Sequence, residues 1–115
     1  MADVGTKNAV KLLSALAQES RLDIYRHLVE LGPEGCSTGE LRDRLGIPGA
    51  TLSFHLKELV HAGLLTSVSK GRFVFYQPDF SVMNGLLHFL TENCCNGEPC
   101  QICVHEDADT AATSA

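Results

Sequence analysis

The chain lacks any run of about 18 consecutive apolar residues, and it does not open on a basic and then apolar leader, so neither a membrane span nor a secretory signal is expected. The local marks of common enzyme sites are missing as well. No Gly-rich phosphate loop, nucleophile elbow or paired carboxylates occur, and no catalytic activity is expected. Lys and Arg are absent from the last 24 residues, which carry five acids: Glu92, Glu98, Glu106, Asp107 and Asp109. The missing leader points to the cytoplasm, a reducing compartment where clustered cysteines act as metal ligands or redox groups rather than structural disulfides. What is left is a chain of 115 residues, enough for one domain with a modest core.

The net charge of −5 argues against nucleic acid until the charge is located. Residues 1–91 hold all nine bases and nine acids, so they balance. Within 42–72, Arg42, Arg44, Lys57, Lys70 and Arg72 face only Asp43 and Glu58, a local net of +3. A basic region inside an acidic chain fits a nucleic-acid contact, and it also fits an ordinary solvated face.

The basic region surrounds the stretch Thr51 to Leu64. Leu52, Leu56, Leu59 and Val60 fall close to a helical period and give one apolar face. Thr51, Ser53, His55, Lys57 and Glu58 share the remaining surface. Small hydroxyls and an imidazole at the start of a short helix can reach phosphates and base edges without filling a DNA groove. Taken alone, the pattern fits an amphipathic surface helix equally well. Gly63 can adopt the left-handed conformation that ends such a helix.

The flanking segments shift the balance. Residues 7–18 read as a helix with Val10, Leu13, Leu16 and Ala17 on one side. Ser20 with Asp23 resembles a capping box that starts a second helix, which Gly32-Pro33 ends. Ser37 with Glu40 repeats the pattern before a short helix at Thr38–Leu45, and Gly46-Ile47-Pro48-Gly49 breaks it. A short helix, a tight break and a second amphipathic helix at 50–63 form a helix-turn-helix. Leu64–Ser69 and Phe73–Tyr76 then read as strands joined through Lys70-Gly71. With Arg72 beside the turn, that hairpin makes a basic wing able to touch the DNA backbone; the alternative is a hairpin charged for solubility. A final helix at 79–93 carries Phe80, Met83, Leu86, Leu87, Phe89 and Leu90, more apolar surface than a terminal helix of a small monomer needs. That excess suggests a dimer, which would set two reading helices one turn apart on a palindrome.

Ser53-Phe-His55-Leu56-x-x-Leu59-x-x-Ala62-Gly63-Leu64, followed by Gly71-Arg72 and Tyr76, resembles the ArsR/SmtB family of winged-helix repressors over about residues 8–93. The resemblance implies a mainly α fold with a β-hairpin wing, dimeric through its first and last helices. It implies an operator-binding protein that a metal or metalloid releases. Thr51, Ser53, His55, Lys57, Lys70 and Arg72 are then the expected contacts to double-stranded DNA. Two of the family's ion sites find little here. Residues 38–45 contain no cysteine, leaving Cys36 alone as a small apolar residue. The last helix offers only Asp79, His88 and Glu92, without the Asp-x-His start of a zinc site.

The third candidate is Cys94-Cys95-Asn-Gly-Glu-Pro-Cys100-Gln-Ile-Cys103, which packs four of the five cysteines into ten residues. Soft thiolates select soft ions. Adjacent cysteines and a third beyond a Gly-containing turn can give three sulfurs on one side of a trigonal pyramid, the geometry of As(III) or Sb(III). Zinc normally needs four tetrahedral ligands from two separated knuckles. Cys100 is favoured over Cys103 as the third sulfur because Gly97 and Pro99 bend the chain back. Adjacent cysteines after the last helix also resemble one arsenical-responsive branch of the family. The expected organisation is a winged helix-turn-helix DNA-binding and dimerisation domain at 1–93, a cysteine-rich metalloid-binding loop at 94–104 and a disordered tail at 105–115. A redox-sensing or zinc/cadmium-responsive repressor of the same fold remains open, and a protein-only interaction domain would leave the basic wing unused.

Overall fold

The computed structural model describes residues 5–93. Five helices and a small sheet follow in the order α1 (Thr6–Leu16), α2 (Glu19–Leu31), β1 (Cys36–Ser37), α3 (Thr38–Leu45), α4 (Gly49–Ala62), β2 (Leu65–Lys70), β3 (Phe73–Pro78) and α5 (Phe80–Thr91). The sheet is antiparallel, with strand order β1-β3-β2. This is the mainly helical fold with a β-hairpin wing that the sequence pattern implies.

Local chemistry sets most boundaries. The capping box at α3 forms as expected: Glu40 N–H donates to Ser37 Oγ at 3.3 Å, and Ser37 N–H donates to Glu40 Oε1 at 3.3 Å. The α2 cap is a correction. Gln18, not Ser20, precedes the helix, and its Oε1 accepts from Arg21 N–H at 3.0 Å. Ser20 lies inside the first turn, so its pairing with Asp23 is not the boundary. At the end of α4, Gly63 takes φ +98° while Leu64 N–H reaches Leu59 O at 3.0 Å and Gly63 N–H reaches Val60 O at 3.0 Å, a Schellman closure. Asp79 caps α5 by accepting from Ser81 N–H at 3.2 Å and Val82 N–H at 3.3 Å.

The hairpin differs from expectation by one residue. Lys70 pairs with Phe73 as the last residue of β2, and Gly71-Arg72 form the turn. Gly71 has φ +63°, a sign that type II′ turns require at their first central position. Strand β1 was not expected: Cys36 pairs with Tyr76 and Ser37 with Phe75. Gly35, at φ +77°, makes that pairing possible, because a side chain there would collide with the Tyr76 carbonyl oxygen and come within 2.7 Å of Gln77 Cγ.

Leucines from nearly every element meet in one core. Leu12, Leu28, Leu41, Leu52, Leu56, Leu59, Leu64, Leu65 and Leu86 are buried, together with Ile24. On α1, Ala9 and Leu12 face inward, while Val10 (55% exposed) and Leu13 stay outside. Leu87 and Leu90 (53% exposed) stay outside on α5, which touches α1. Among the described residues no helix is long and apolar enough to cross a membrane. Gly35→Ala combines a collision with an unfavourable positive φ, so it is expected to cost more than about 1 kcal/mol. Denaturant unfolding measures this; an unchanged midpoint would show that β1 contributes nothing.

Candidate nucleic-acid interface

Helix α4 is held by Leu52, Leu56 and Leu59, all fully buried, and this fixes what it presents outward. Thr51, Ser53, Phe54 and Lys57 form the exposed side, with Glu58 and His61 nearer its end. Gly46 (φ +68°) closes α3, and its N–H donates to Arg42 O at 2.9 Å, so α3 stops one short break before α4 begins. Arg42 and Arg44 are exposed on α3; Arg42 lies 3.9 Å from Asp43, a solvated pair worth little.

His55 does not share that outward side. It is only 7% exposed, and its Nδ1 lies 3.3 Å from Arg21 Nη1. A guanidinium can only donate, so Nδ1 accepts and the ring is the neutral tautomer protonated at Nε2. Burial first, and the Arg21 cation second, push the His55 pKa down from its ordinary 6.5. The expected base contact is corrected by helical phase: His55 sits three residues after Leu52 and four before Leu59, on the core side. Arg21 also donates from Nε to Ala15 O at 2.7 Å, satisfying a carbonyl of the last turn of α1. One side chain thus ties the end of α1 to α4. Arg21 carries no local sequence signal, since its partners lie on α1 and α4; Phe54 does, lying three residues from both Thr51 and Lys57.

The wing places its two basic residues differently. Arg72 is exposed in the turn. Lys70 Nζ lies 5.0 Å from the centroid of the Phe75 ring, a cation–π contact that draws its charge back along the strand. Phe73, 63% exposed, completes the tip.

Cys36 is buried, and its thiol donates to Glu40 Oε1 at 3.7 Å. Burial and then the Glu40 charge push its pKa up, favouring the protonated thiol. Among the described residues, no three His, Cys, Asp or Glu side chains come together to hold an ion. Asp79, His88 and Glu92 therefore assemble no site within one chain. Cys94, Cys95, Cys100 and Cys103 lie outside the described residues.

A buried neutral His55 has a consequence for stability. The unfolded chain takes up the proton near pH 6.5 and the folded chain only lower, so this contribution is complete above pH 6.5 and lost as pH falls through the folded value. His55→Gln keeps an acceptor for Arg21 without a titrating ring. Unfolding free energies measured across pH should show a shallower acid loss in that variant; identical slopes would mean that His55 titrates alike in both states.

With this geometry in place, similarity to known proteins becomes informative. A helix-turn-helix domain family matches residues 16–68. The arsenical resistance operon repressor of Bacillus subtilis is 36% identical over 81 residues, spanning 70% of this chain and 73% of the relative. The transcriptional activator HlyU of Vibrio cholerae is 38% identical over 85 residues, spanning 71% of this chain and 76% of that protein. The structure of reduced HlyU covers 74% of this chain and 90% of its own at 36% identity, with a TM-score of 0.59. An ArsR-like transcriptional regulator from Rhodococcus sp. RHA1 covers 96% of this chain and 94% of its own at 28% identity, with a TM-score of 0.68. The helix-turn-helix, its wing and these relatives converge: the chain belongs to the ArsR/SmtB family of winged-helix transcriptional regulators, which are DNA-binding proteins and not enzymes.

Proposed function

We propose that this chain is a cytoplasmic repressor that binds palindromic operator DNA as a homodimer and is released by As(III) or Sb(III) at its C-terminal cysteines. The observation that carries the DNA part is the outward set Thr51, Ser53 and Lys57 on α4, beside a wing that exposes Arg72. Hydroxyls at the start of the helix suit base edges and phosphates, and the basic groups neutralise backbone charge. The dimer reading draws support from Val10, Leu13, Leu87 and Leu90, exposed apolar residues on two helices that touch. The similarity to an arsenical resistance operon repressor supports a metalloid inducer. The cysteine run supports Cys94 and Cys95 as two ligands and Cys100, ahead of Cys103, as the third.

Release follows from linkage. The ion displaces thiol protons and draws the run after α5 around one centre, which favours a dimer arrangement unsuited to DNA. A coupling of ~1–3 kcal/mol would be ordinary for such a device. A second reading, a redox-sensing repressor using the same cysteines, is favoured by the likeness to HlyU, which has been solved in a reduced form. Operator titrations with arsenite, antimonite, cadmium and zinc under excess thiol reductant, and with peroxide after the reductant is removed, separate the two.

Two outcomes are expected. Ser53→Ala should weaken specific binding by about 1–3 kcal/mol, while Arg72→Ala should weaken all sequences alike and flatten the salt dependence. Salt-independent affinity in the unmodified protein would sink the interface. Cys94→Ser and Cys95→Ser should each hold the operator like wild type yet fail to release it with arsenite. Release at an unchanged arsenite concentration would put the site elsewhere.

A further inference from the structure

The outward side of α4 carries one group that phosphate contacts do not explain. Phe54 leaves 55% of its surface exposed, and its recorded ring contact is a tilted one to His55, 5.7 Å between centroids at 56°. It cannot turn into the core, because Leu52, Leu56 and Leu59 already fill the inner face of the helix. It shares the exposed side of α4 with Thr51, Ser53 and Lys57, and with Glu58 one turn further on. An aromatic ring set among polar and charged groups is matched to a surface that is polar over most of its area and apolar at one point.

The major groove of DNA is such a surface. Its base edges offer hydrogen-bond donors and acceptors and one apolar group, the C5-methyl of thymine. We propose that Phe54 specifies thymine at one position of each operator half-site by packing its ring against that methyl. This rests on the reading that α4 enters the groove. Ser53 and Thr51 then serve neighbouring polar edges or phosphates, and Lys57 holds the backbone at the rim. Phe54 adds no counterion release, so its contribution is insensitive to salt while that of Lys57 is not.

The test uses duplexes selected by the full-length protein from a randomised pool. Each thymine of the recovered half-site is replaced in turn by deoxyuridine, which keeps the base pair and the phosphates and removes only the methyl. One position should lower wild-type affinity about fourfold, and about fifteenfold when changed in both half-sites, the size expected for burying one methyl. Phe54→Ala should bind the thymine and uracil duplexes equally with an unchanged salt slope, and Phe54→Leu should keep part of the preference. Wild-type indifference to every uracil, or a preference that survives in Phe54→Ala, overturns the assignment while leaving operator binding intact. A Phe54→Ala variant altered in oligomeric state but not in thymine preference would assign the ring to self-association instead. Recovery of no duplex at all would overturn the groove reading itself, and this assignment with it.

Discussion

The rotational setting of α4 governs everything this molecule presents to a partner. Leu52, Leu56 and Leu59 are fully buried against the other helices and the sheet. Truncating any one of them would cost about 2–5 kcal/mol, whereas an exposed ion pair such as Arg42–Asp43 contributes ~0–1 kcal/mol. A helix turns by about 100° per residue, so three anchored leucines leave no freedom for the rest. Thr51, Ser53, Phe54 and Lys57 must face out, and His55 must face in. The apolar face therefore decides which side chains face outward, and charge only decorates that side.

Much of this was legible because local rules and tertiary packing agree. The α3 capping box, the Gly46 break, the Gly63 terminus and the amphipathic α5 each follow from side-chain chemistry within a few residues. The differences have several causes, and one of them is dependence on distant partners. Two residues, Cys36 and Ser37, make a strand only because β3 lies alongside and Gly35 allows the approach. Gln18 rather than Ser20 caps α2 because the helix already begins at Glu19, so the N–H that needs an acceptor is that of Arg21 and not that of Asp23. His55 is expected outside by residue type, although its phase against Leu52 and Leu59 places it within. Buried imidazoles are tolerated when their nitrogens are satisfied, and Arg21 supplies that partner from another helix.

The charge distribution shows why whole-chain totals mislead. A net charge of −5 would repel DNA if it were evenly spread. At physiological salt the Debye length is only about 8 Å, so a partner at the outward face of α4 senses mainly nearby groups. Between residues 42 and 72 the bases Arg42, Arg44, Lys57, Lys70 and Arg72 outnumber the acids Asp43 and Glu58. The acids that outweigh them lie beyond Thr91 in the sequence.

Arg21 connects the two ends of this arrangement. Its Nε holds the last turn of α1 through Ala15, and its Nη1 holds His55 on α4. Val10 and Leu13 are exposed on α1, which also touches α5, so repacking of α1 bears on the residue that links it to α4. The bridge cannot be the whole of a switch. A net hydrogen bond contributes about 0.5–1.5 kcal/mol, while moving an equilibrium from 1:99 to 99:1 needs about 5.5 kcal/mol. The remainder has to come from packing, and α1 also touches α4 directly. Arg21 therefore helps hold α1 and α4 in register, with their direct packing supplying the rest.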